Sequence, residues 1–292
     1  MKTMLERFRA PKDLKLDDKD AGATPLRTNG NGNGKGKGKD KDKDAKAEAK
    51  GDIKERERAL TAELASQVDK LQERLYAARQ KKLLLILQGM DTSGKDGTVR
   101  ALFSQINPMG LSATGFTAPS TREQAHDFLW RVHPHVPGKG EIAIFNRSHY
   151  EDVLVPRVLD QIDREECERR YAQIRDFERM LSESGTTIVK VFLHISKDEQ
   201  RERLQERLDD PEKHWKFDPA DLVAREKWDE YRRYYEEAID ATDCEHAPWY
   251  VVPADSKTHR NLIIAHLLLE TMQGMDLQWP EPKADLAKVR ID

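Results

Sequence analysis

The sequence of 292 residues has only two cysteines, no long apolar run and almost no net charge. Cys167 and Cys244 lie far apart and outside any C-x-x-C motif, so neither a disulfide framework nor a zinc site is indicated. The longest apolar runs, such as 83–87, are far too short to span a bilayer, and the N-terminus lacks the apolar core of a signal peptide. We therefore expect a cytoplasmic protein that contacts no membrane.

Charged residues are abundant, at 35% of the chain, but the formal net charge is only -3. Because the two signs are mixed, the composition argues against a nucleic-acid partner. A local basic groove is still allowed, and a small polyanionic substrate would need one.

The composition also divides the chain into parts. Residues 28–52 predict a disordered linker, because Gly, Asn, Lys and Asp alternate there with hardly an apolar side chain larger than alanine. The alternative is a tether that holds a phosphate polymer or RNA through its lysines, although the interleaved aspartates and glycines dilute its field. The linker separates an N-terminal extension, 1–27, from one domain, 53–275, and the C-terminal tail is 276–292.

Within the domain, short apolar runs alternate with helical patterns after a first amphipathic helix that starts near Ile53. The predicted strands are 82–88, 114–118, 141–146, 187–196 and 249–254. The predicted helices are approximately 94–106, 121–132, 150–184, 198–209, 218–240 and 257–272. This alternation predicts an α/β fold with three layers, α/β/α, around a five-stranded parallel sheet. Ligands of such sheets bind at the carboxyl ends of the strands.

A phosphate-binding loop follows the first predicted strand. The sequence GMDTSGKDGT at 89–98 satisfies G-x-x-x-x-G-K and is followed by a helical pattern, as the motif requires. Glycines let backbone N–H groups turn toward phosphate oxygens, and Lys95 neutralises the oxygens of the transferring group. The residues expected to bind phosphate or nucleotide, in this loop and in later segments, are Gly89, Met90, Thr92, Ser93, Gly94, Gly97, Thr98, Arg122, Asn146, Glu151, Arg203, Lys213 and Lys216.

The loop departs from the usual motif in its acids. Asp96 follows Lys95 where a Ser or Thr normally binds magnesium, and Asp91 lies within the loop. A carboxylate repels phosphates unless a cation lies between them, so we expect Asp91 to hold Mg²⁺ in place of the missing hydroxyl. Asp96 lies in the first turn of a helix, where its negative charge interacts favourably with the helix dipole.

Polar residues also follow the second and third predicted strands. Arg122 lies at a helix start and is expected at the rim of the site, with a solvated surface charge as the alternative. Asn146 occupies a strand tip where P-loop enzymes usually carry a metal-bound Asp, and Arg147 can clamp phosphoryl oxygens with two donors. Glu151 can orient the acceptor, and either Asn146 or Glu151 is a candidate for a second magnesium contact.

A basic segment after the fourth strand predicts a lid at approximately 198–217. Its cations include Arg203, Arg207, Lys213 and Lys216, and closure over phosphates would exclude water. The alternative is a charged helix that faces solvent. In the next helix, four aromatic residues are interpreted as packing first and as contacts to a base second: Trp228, Tyr231, Tyr234 and Tyr235.

These motifs resemble the polyphosphate kinase 2 family over approximately residues 53–275. The supporting segments are LQERLYAARQ at 71–80, LQGMDTSGKDGTVR at 87–100, FNRSHYEDVLVPRV at 145–158 and RLDDPEKHWKFDPADL at 207–222. The stretch at 8–18 is similar to the family's N-terminal segment.

The resemblance implies a P-loop kinase-like core with a helical lid, dependence on Mg²⁺, and a homodimer or homotetramer. It implies catalytic roles for Asp91, Lys95, Arg147 and Arg207, with Arg207 as the best match among the lid arginines. Many relatives carry Asp where this chain has Asn146. The pair of Asn146 and Glu151 is similar to the subgroup that phosphorylates both AMP and ADP.

The expected reaction is reversible transfer of a phosphoryl group from inorganic polyphosphate to ADP or AMP, with guanine nucleotides as further candidates. One rival is a nucleoside monophosphate kinase that uses ATP as donor, which the Asp after Lys95 disfavours. Another is a regulator that binds nucleotide or polyphosphate without catalysis. The convergence of Lys95, Arg147 and the lid exceeds what binding alone requires.

Overall fold

The computed structural model describes residues 2–27, 41–282 and 289–291. In these ranges, five strands form one parallel sheet in the order β2-β3-β1-β4-β5. The strands are β1 Lys82–Gln88, β2 Leu111–Gly115, β3 Ile142–Asn146, β4 Thr186–His194 and β5 Trp249–Pro253. The predicted five-stranded parallel sheet is therefore confirmed.

Helices precede, connect and follow these strands. They are α1 Met4–Phe8, α2 Asp18–Ala21, α3 Lys41–Ala78, α4 Lys95–Phe103, α5 Thr121–Gln124, α6 Glu151–Val158, α7 Arg164–Glu183, α8 Lys197–Asp209, α9 Ala220–Glu226, α10 Trp228–Thr242 and α11 Lys257–Gly274. Two short 3-10 helices span His133–His135 and Pro211–Lys216.

The central strand β1 is buried on both faces, which explains its continuous apolar sequence. Leu83 and Leu85 pack in one apolar cluster, and Leu84 and Ile86 pack in another. Successive side chains of a strand point to opposite faces of the sheet, so the two clusters are the cores of two layers. The predicted α/β/α layering is thus observed.

The N-terminal segment, residues 2–27, packs on the domain. Phe8, Leu14 and Leu16 are buried in the larger core cluster. The N–H of Ala10 donates to the carbonyl oxygen of Trp249 at 2.9 Å, next to an antiparallel bridge between Arg9 and Tyr250. The segment therefore covers β5, which is an edge strand, and shields its unpaired backbone groups.

The helix α3 differs most from its predicted bounds. It begins at Lys41, so residues 41–52 are helical although the sequence predicts a linker up to 52. Alanine, lysine and glutamate, which dominate 45–50, are among the best helix formers, so low apolar content does not exclude a helix there. The rest of the predicted linker, 28–40, lies outside the described residues, as does 283–288 of the predicted tail.

Three further boundaries differ from prediction. The strand β2 starts and ends three residues early, because it pairs with β3 from Leu111 and is a mostly exposed edge strand without an apolar run. The helix predicted at 121–132 ends at Gln124, after which the Asp127 side chain accepts from the N–H of Leu129 in a local turn. The predicted helix 150–184 is interrupted, because the side chain of Asp163 caps the start of α7.

The predicted helix 218–240 is likewise divided, at Lys227, into α9 and α10. No helix in the described ranges is both long and apolar enough to cross a membrane. Both cysteines are free thiols.

Candidate active site

The loop between β1 and α4 has the backbone of a phosphate-binding nest. Gly89 and Gly94 have φ values of 150° and 101°, and Thr92 has a φ of 64°, which is unusual for a β-branched residue. A Cβ atom at Gly94 would overlap Nη1 of Arg260, so no larger residue fits without displacing that arginine. The helix α4 begins at Lys95 and presents free N–H groups to the loop.

Lys95 lies inside this loop. Its Nζ donates to the carbonyl oxygen of Gly89 at 2.7 Å and to that of Met90 at 3.3 Å. Burial of the ammonium, followed by the nearby charge of Arg147, lowers the pKa of Lys95 to about 8. A phosphate would supply the counter-charge that this buried ammonium needs.

Asp91 and Arg147 join the loop to the end of β3. Nη2 of Arg147 donates to Oδ1 of Asp91 at 2.7 Å. Burial lowers the pKa of Arg147, but the carboxylates of Glu151 and Asp91 outweigh burial and raise it above its ordinary value. Arg147 has a φ of 61°, and its N–H donates to the carbonyl oxygen of Leu87, which fixes the turn after β3.

The neighbouring acids have different surroundings. The side-chain amide of Asn146 donates to Oδ1 of Asp96, so these two residues bond to each other across the loop. Glu151 is in the first turn of α6, where burial raises its pKa and the charges of Arg147 and Lys95 oppose that rise.

The predicted lid consists of α8 and the 3-10 helix Pro211–Lys216. Nη1 of Arg207 donates to the carbonyl oxygen of Lys216 at 2.8 Å and to Oδ2 of Asp221 at 3.1 Å. Burial and the charge of Asp91 raise the pKa of Asp221 to about 6, although Arg207 opposes the shift. Arg207 is thus paired with a carboxylate that takes up a proton at a higher pH than an ordinary aspartate does.

The two lid lysines lie near Arg207 in sequence, and Lys213 is exposed whereas Lys216 is half-buried. Lys213 forms an ion pair with Asp210 at 2.8 Å. Nζ of Lys216 lies 4.9 Å from the ring centre of Trp215, which is 77% exposed.

Two cavities of different chemistry meet at the loop. The basic cavity, of about 520 Å³, has cationic walls contributed by Lys95, Arg203, Arg207, Lys213, Lys216, Lys257 and Arg260. The aromatic cavity, of about 360 Å³, is lined by Val155, Leu159, Val223, Trp228, Tyr231 and Tyr235. Asp91, Arg147, Asp218 and Asp221 line both cavities and form their shared wall.

The structure brings most predicted site residues to these cavities. Thr92, Gly94, Gly97 and Asn146 line the basic cavity. Gly89, Met90 and Glu151 line the aromatic cavity. Ser93 is fully buried and lines neither cavity.

Arg203 lines the basic cavity and also bonds to the phosphate-binding loop. Its guanidinium donates to the carboxylate of Glu199 and to the carbonyl oxygens of Thr92, Ser93, Ala254 and Asp255. An arginine has five N–H donors, and these bonds use all of them. The predicted contact of Arg203 with phosphate stays a prediction: the side chain lines the basic cavity, and its present partners are the loop, Glu199 and the segment after β5.

Thr98 and Arg122 are also placed differently. Thr98 is fully buried, and its hydroxyl donates to Oδ1 of Asn261 at 3.3 Å, away from the basic cavity. The guanidinium of Arg122 lies 5.5 Å from the ring centre of Trp130, and the residue lines neither cavity. The sequence located both residues near the site but could not give the direction of their side chains.

Sequence reasoning missed Lys257 and Arg260. Both lie in the first turn of α11, directly after the tip of β5, and both line the basic cavity. Ligands bind at the carboxyl ends of parallel strands. This rule points to the segment after β5 as well as to those after β1 and β3, and it indicates both residues.

The acids around the loop fit a magnesium ion that is shared with phosphates. In the described part of the chain, no group of three or more His, Cys, Asp or Glu side chains could hold a metal alone. Magnesium at phosphoryl-transfer sites is usually bound by one or two carboxylates together with substrate phosphates and water. Asp91, in the shared wall, is suitably placed for this, with Glu151 or Asn146 nearby.

Comparison with known proteins agrees with this geometry. The chain is 53% identical over 231 residues, 79% of its length, to a protein of Meiothermus ruber named AMP/ADP-polyphosphate phosphotransferase, of which 86% is covered. It is 43% identical over 240 residues, 78% of its length, to the ADP-polyphosphate phosphotransferase of Rhodopseudomonas palustris, of which 83% is covered.

A solved structure and a family model give the same assignment. The fold is similar to the crystal structure of polyphosphate kinase 2 from Arthrobacter aurescens, with a TM-score of 0.84 and 43% identity, covering 98% of this chain and 94% of that one. The model of the family described as polyphosphate kinase 2 matches residues 51–280. The chain is therefore a member of the polyphosphate kinase 2 family.

Proposed function

We propose that this protein transfers the terminal phosphoryl group of inorganic polyphosphate to ADP or AMP, forming ATP or ADP in a reversible reaction. The observation that carries the proposal is the pair of cavities that meet at Asp91 and Arg147. A polyanion needs cationic surroundings, and the nucleoside of a nucleotide needs an apolar pocket. The basic cavity meets the first need and the aromatic cavity meets the second.

The basic cavity suits the polyphosphate chain. Lys95 and the N–H groups at the start of α4 bind its terminal phosphate, and the cations of the lid and of α11 neutralise the phosphates behind it. No base-sized apolar pocket is needed on this side, because every unit of the donor is a phosphate.

The aromatic cavity suits the nucleoside of the acceptor. Tyr231 and Trp228 contribute aromatic rings to its lining, and Val155 and Leu159 contribute apolar side chains. The acceptor's terminal phosphate would then lie at the shared wall. The similarity to relatives named for AMP and ADP supports adenine nucleotides, and guanine nucleotides are further candidates.

The transfer is an in-line displacement. An oxygen of the acceptor's terminal phosphate forms a bond to the end phosphorus of polyphosphate, and the bond from that phosphorus to its bridging oxygen breaks. The shortened polyphosphate leaves as the anion. Lys95, Arg147 and Arg207 stabilise the negative charge that spreads over the transferring oxygens.

The resting contacts of these cations can be exchanged for phosphate. Arg147 is bonded to Asp91, and Arg207 is bonded to Asp221. Phosphate oxygens compete with both carboxylates for the same donors. Asp91, with Glu151 or Asn146 nearby, would hold the magnesium ion, which would supply positive charge against the phosphates of the two substrates.

We also propose a cytoplasmic location and a homodimer or homotetramer. Two free thiols are compatible with a reducing compartment. Light scattering coupled to size-exclusion chromatography measures the oligomeric state directly, and a monomer at micromolar concentration would contradict that part of the proposal.

The function is tested by mixing the protein with Mg²⁺, polyphosphate and ADP, AMP, GDP or GMP, and by separating the products by chromatography. We expect ATP from ADP and ADP from AMP as initial products. Absence of both would refute the proposal. Product formation from AMP and ATP without polyphosphate would favour the ATP-dependent rival, and binding without turnover would favour the regulator.

A further inference from the structure

Two buried arginines contact the phosphate-binding loop from two different helices. Arg203 of α8 and Arg260 of α11 are 5% and 2% exposed. Both donate to the carbonyl oxygen of Ser93, Arg203 at 3.1 Å and Arg260 at 2.9 Å. One carbonyl of the loop therefore accepts two charged hydrogen bonds, which is stronger bonding than a structural turn needs.

The bonded carbonyl controls a phosphate-facing group. In a planar trans peptide, the C=O of Ser93 and the N–H of Gly94 point in opposite directions. Arginines that hold the oxygen on one side therefore fix the N–H on the other. Among the described residues, no hydrogen bond uses the N–H of Gly94. It is available to an anion in the basic cavity, which Gly94 lines.

Arg260 also carries a charge that the protein leaves uncompensated. Its donors go to the carbonyl oxygen of Ser93 and to the amide oxygen of Asn261, both neutral, and within the described ranges it forms no ion pair. Burial, followed by the nearby charge of Arg203, lowers the pKa of Arg260 to about 9. A buried cation without a counter-ion is unfavourable until an anion approaches.

We propose that Arg203 and Arg260 are positioning residues for the polyphosphate donor, which hold the Ser93–Gly94 peptide with its N–H toward the basic cavity and add positive charge that the donor compensates. This inference rests on the proposed function. It also explains why position 94 must be glycine: φ is 101°, and Arg260 occupies the space of a Cβ atom. The nucleotide acceptor, which lies in the aromatic cavity, gains little from the pair.

The test replaces Arg260 with methionine, which keeps the length of the side chain and removes its charge. We expect the KM for polyphosphate to rise about tenfold. This factor corresponds to the loss of one hydrogen bond to a charged group. The KM for ADP should stay within about twofold of the wild-type value, since the aromatic cavity is intact. Adding tripolyphosphate should raise the Tm of the Arg260 variant less than that of the wild type, because the variant binds tripolyphosphate more weakly.

A matched control is Arg9→Met. Arg9 is a partly buried arginine that donates to the carboxylate of Asp243 and to the carbonyl oxygen of Cys244, and it lines neither cavity. We expect it to lower Tm while the tripolyphosphate-induced shift and both KM values stay as in the wild type. If Arg260→Met does not fold, Arg260→Lys takes its place, with a smaller rise in the KM for polyphosphate.

An Arg260 variant with a wild-type tripolyphosphate shift and a wild-type KM for polyphosphate would overturn the inference and leave only a structural tie. The thermal shift needs no turnover. If the wild-type protein forms no ATP from polyphosphate and ADP, the proposed function fails, while the comparison of shifts still decides the role of Arg260.

Discussion

The basic and aromatic cavities share a wall yet differ in almost everything else. One is bordered by lysines and arginines of the loop, the lid and α11, and the other by aliphatic and aromatic side chains of α6, α9 and α10. Only the acids and Arg147 of the shared wall can contact both substrates. The difference indicates that donor and acceptor are recognised separately and meet at Asp91 and Arg147.

The largest expected effect comes from the basic cavity. Lys95→Met should lower kcat about 10³-fold, because the charge that forms on the transferring oxygens loses its closest cation. The KM for ADP should change little. Initial rates of ATP formation check this, with Lys82→Met, a half-buried lysine of β1 bonded to Ser184, as the control of unchanged activity. A kcat within tenfold of wild type would remove Lys95 from the mechanism.

A change in the shared wall should affect both substrates. Arg147→Lys keeps the charge but loses the two-donor fork, so we expect kcat to fall about 10²-fold and both KM values to rise. Two-substrate kinetics measure all three constants. A rise in one KM alone would show that Arg147 belongs to one cavity rather than to both.

The pH dependence separates the cavities without a mutation. Lys95 binds phosphate as the ammonium, so the KM for polyphosphate should rise about tenfold between pH 7 and pH 9 as the amine loses its proton near pH 8. The KM for ADP should not follow this curve. Because the pKa in the folded state is below that in the unfolded state, deprotonation of Lys95 adds to stability as pH rises above 8. Deprotonation of Lys95 therefore does not itself destabilise the fold in this range, and a flat KM would contradict the role of Lys95.

The smallest effect is expected from the aromatic cavity. Tyr231→Ala removes one ring face, and the KM for ADP should rise about fivefold, at the low end for loss of base stacking. The KM for polyphosphate should be unchanged. Trp215→Ala, in the lid, is the informative comparison, because a rise in the KM for ADP there would place the base in the basic cavity instead.

Much of the fold could be predicted because buried parallel strands leave a strong signal. The apolar runs of β1, β3, β4 and β5 located four strands closely, and the G-x-x-x-x-G-K motif located the loop. The strand β2 was misplaced by three residues, since an exposed edge strand has no apolar run and its register depends on pairing with β3.

The site was predicted less completely, because sequence spacing does not give the direction of a side chain. Arg203 and Arg207 are four residues apart on one helix, yet the first binds loop carbonyls and the second a carboxylate at the shared wall. Which arginine faces the phosphates depends on how α8 packs against the loop and β5. Arg260 is hard to predict for a similar reason, because its contact with the loop depends on how α11 packs against Gly94.

The most direct test of separate recognition measures the KM for polyphosphate and the KM for ADP in Lys257→Met and Tyr231→Ala under the same conditions. Lys257 lines the basic cavity and Tyr231 the aromatic one. The separate cavities predict a crossed result, in which the lysine variant raises only the KM for polyphosphate and the tyrosine variant raises only the KM for ADP. If both variants raise the same constant, the two substrates are not divided between the cavities.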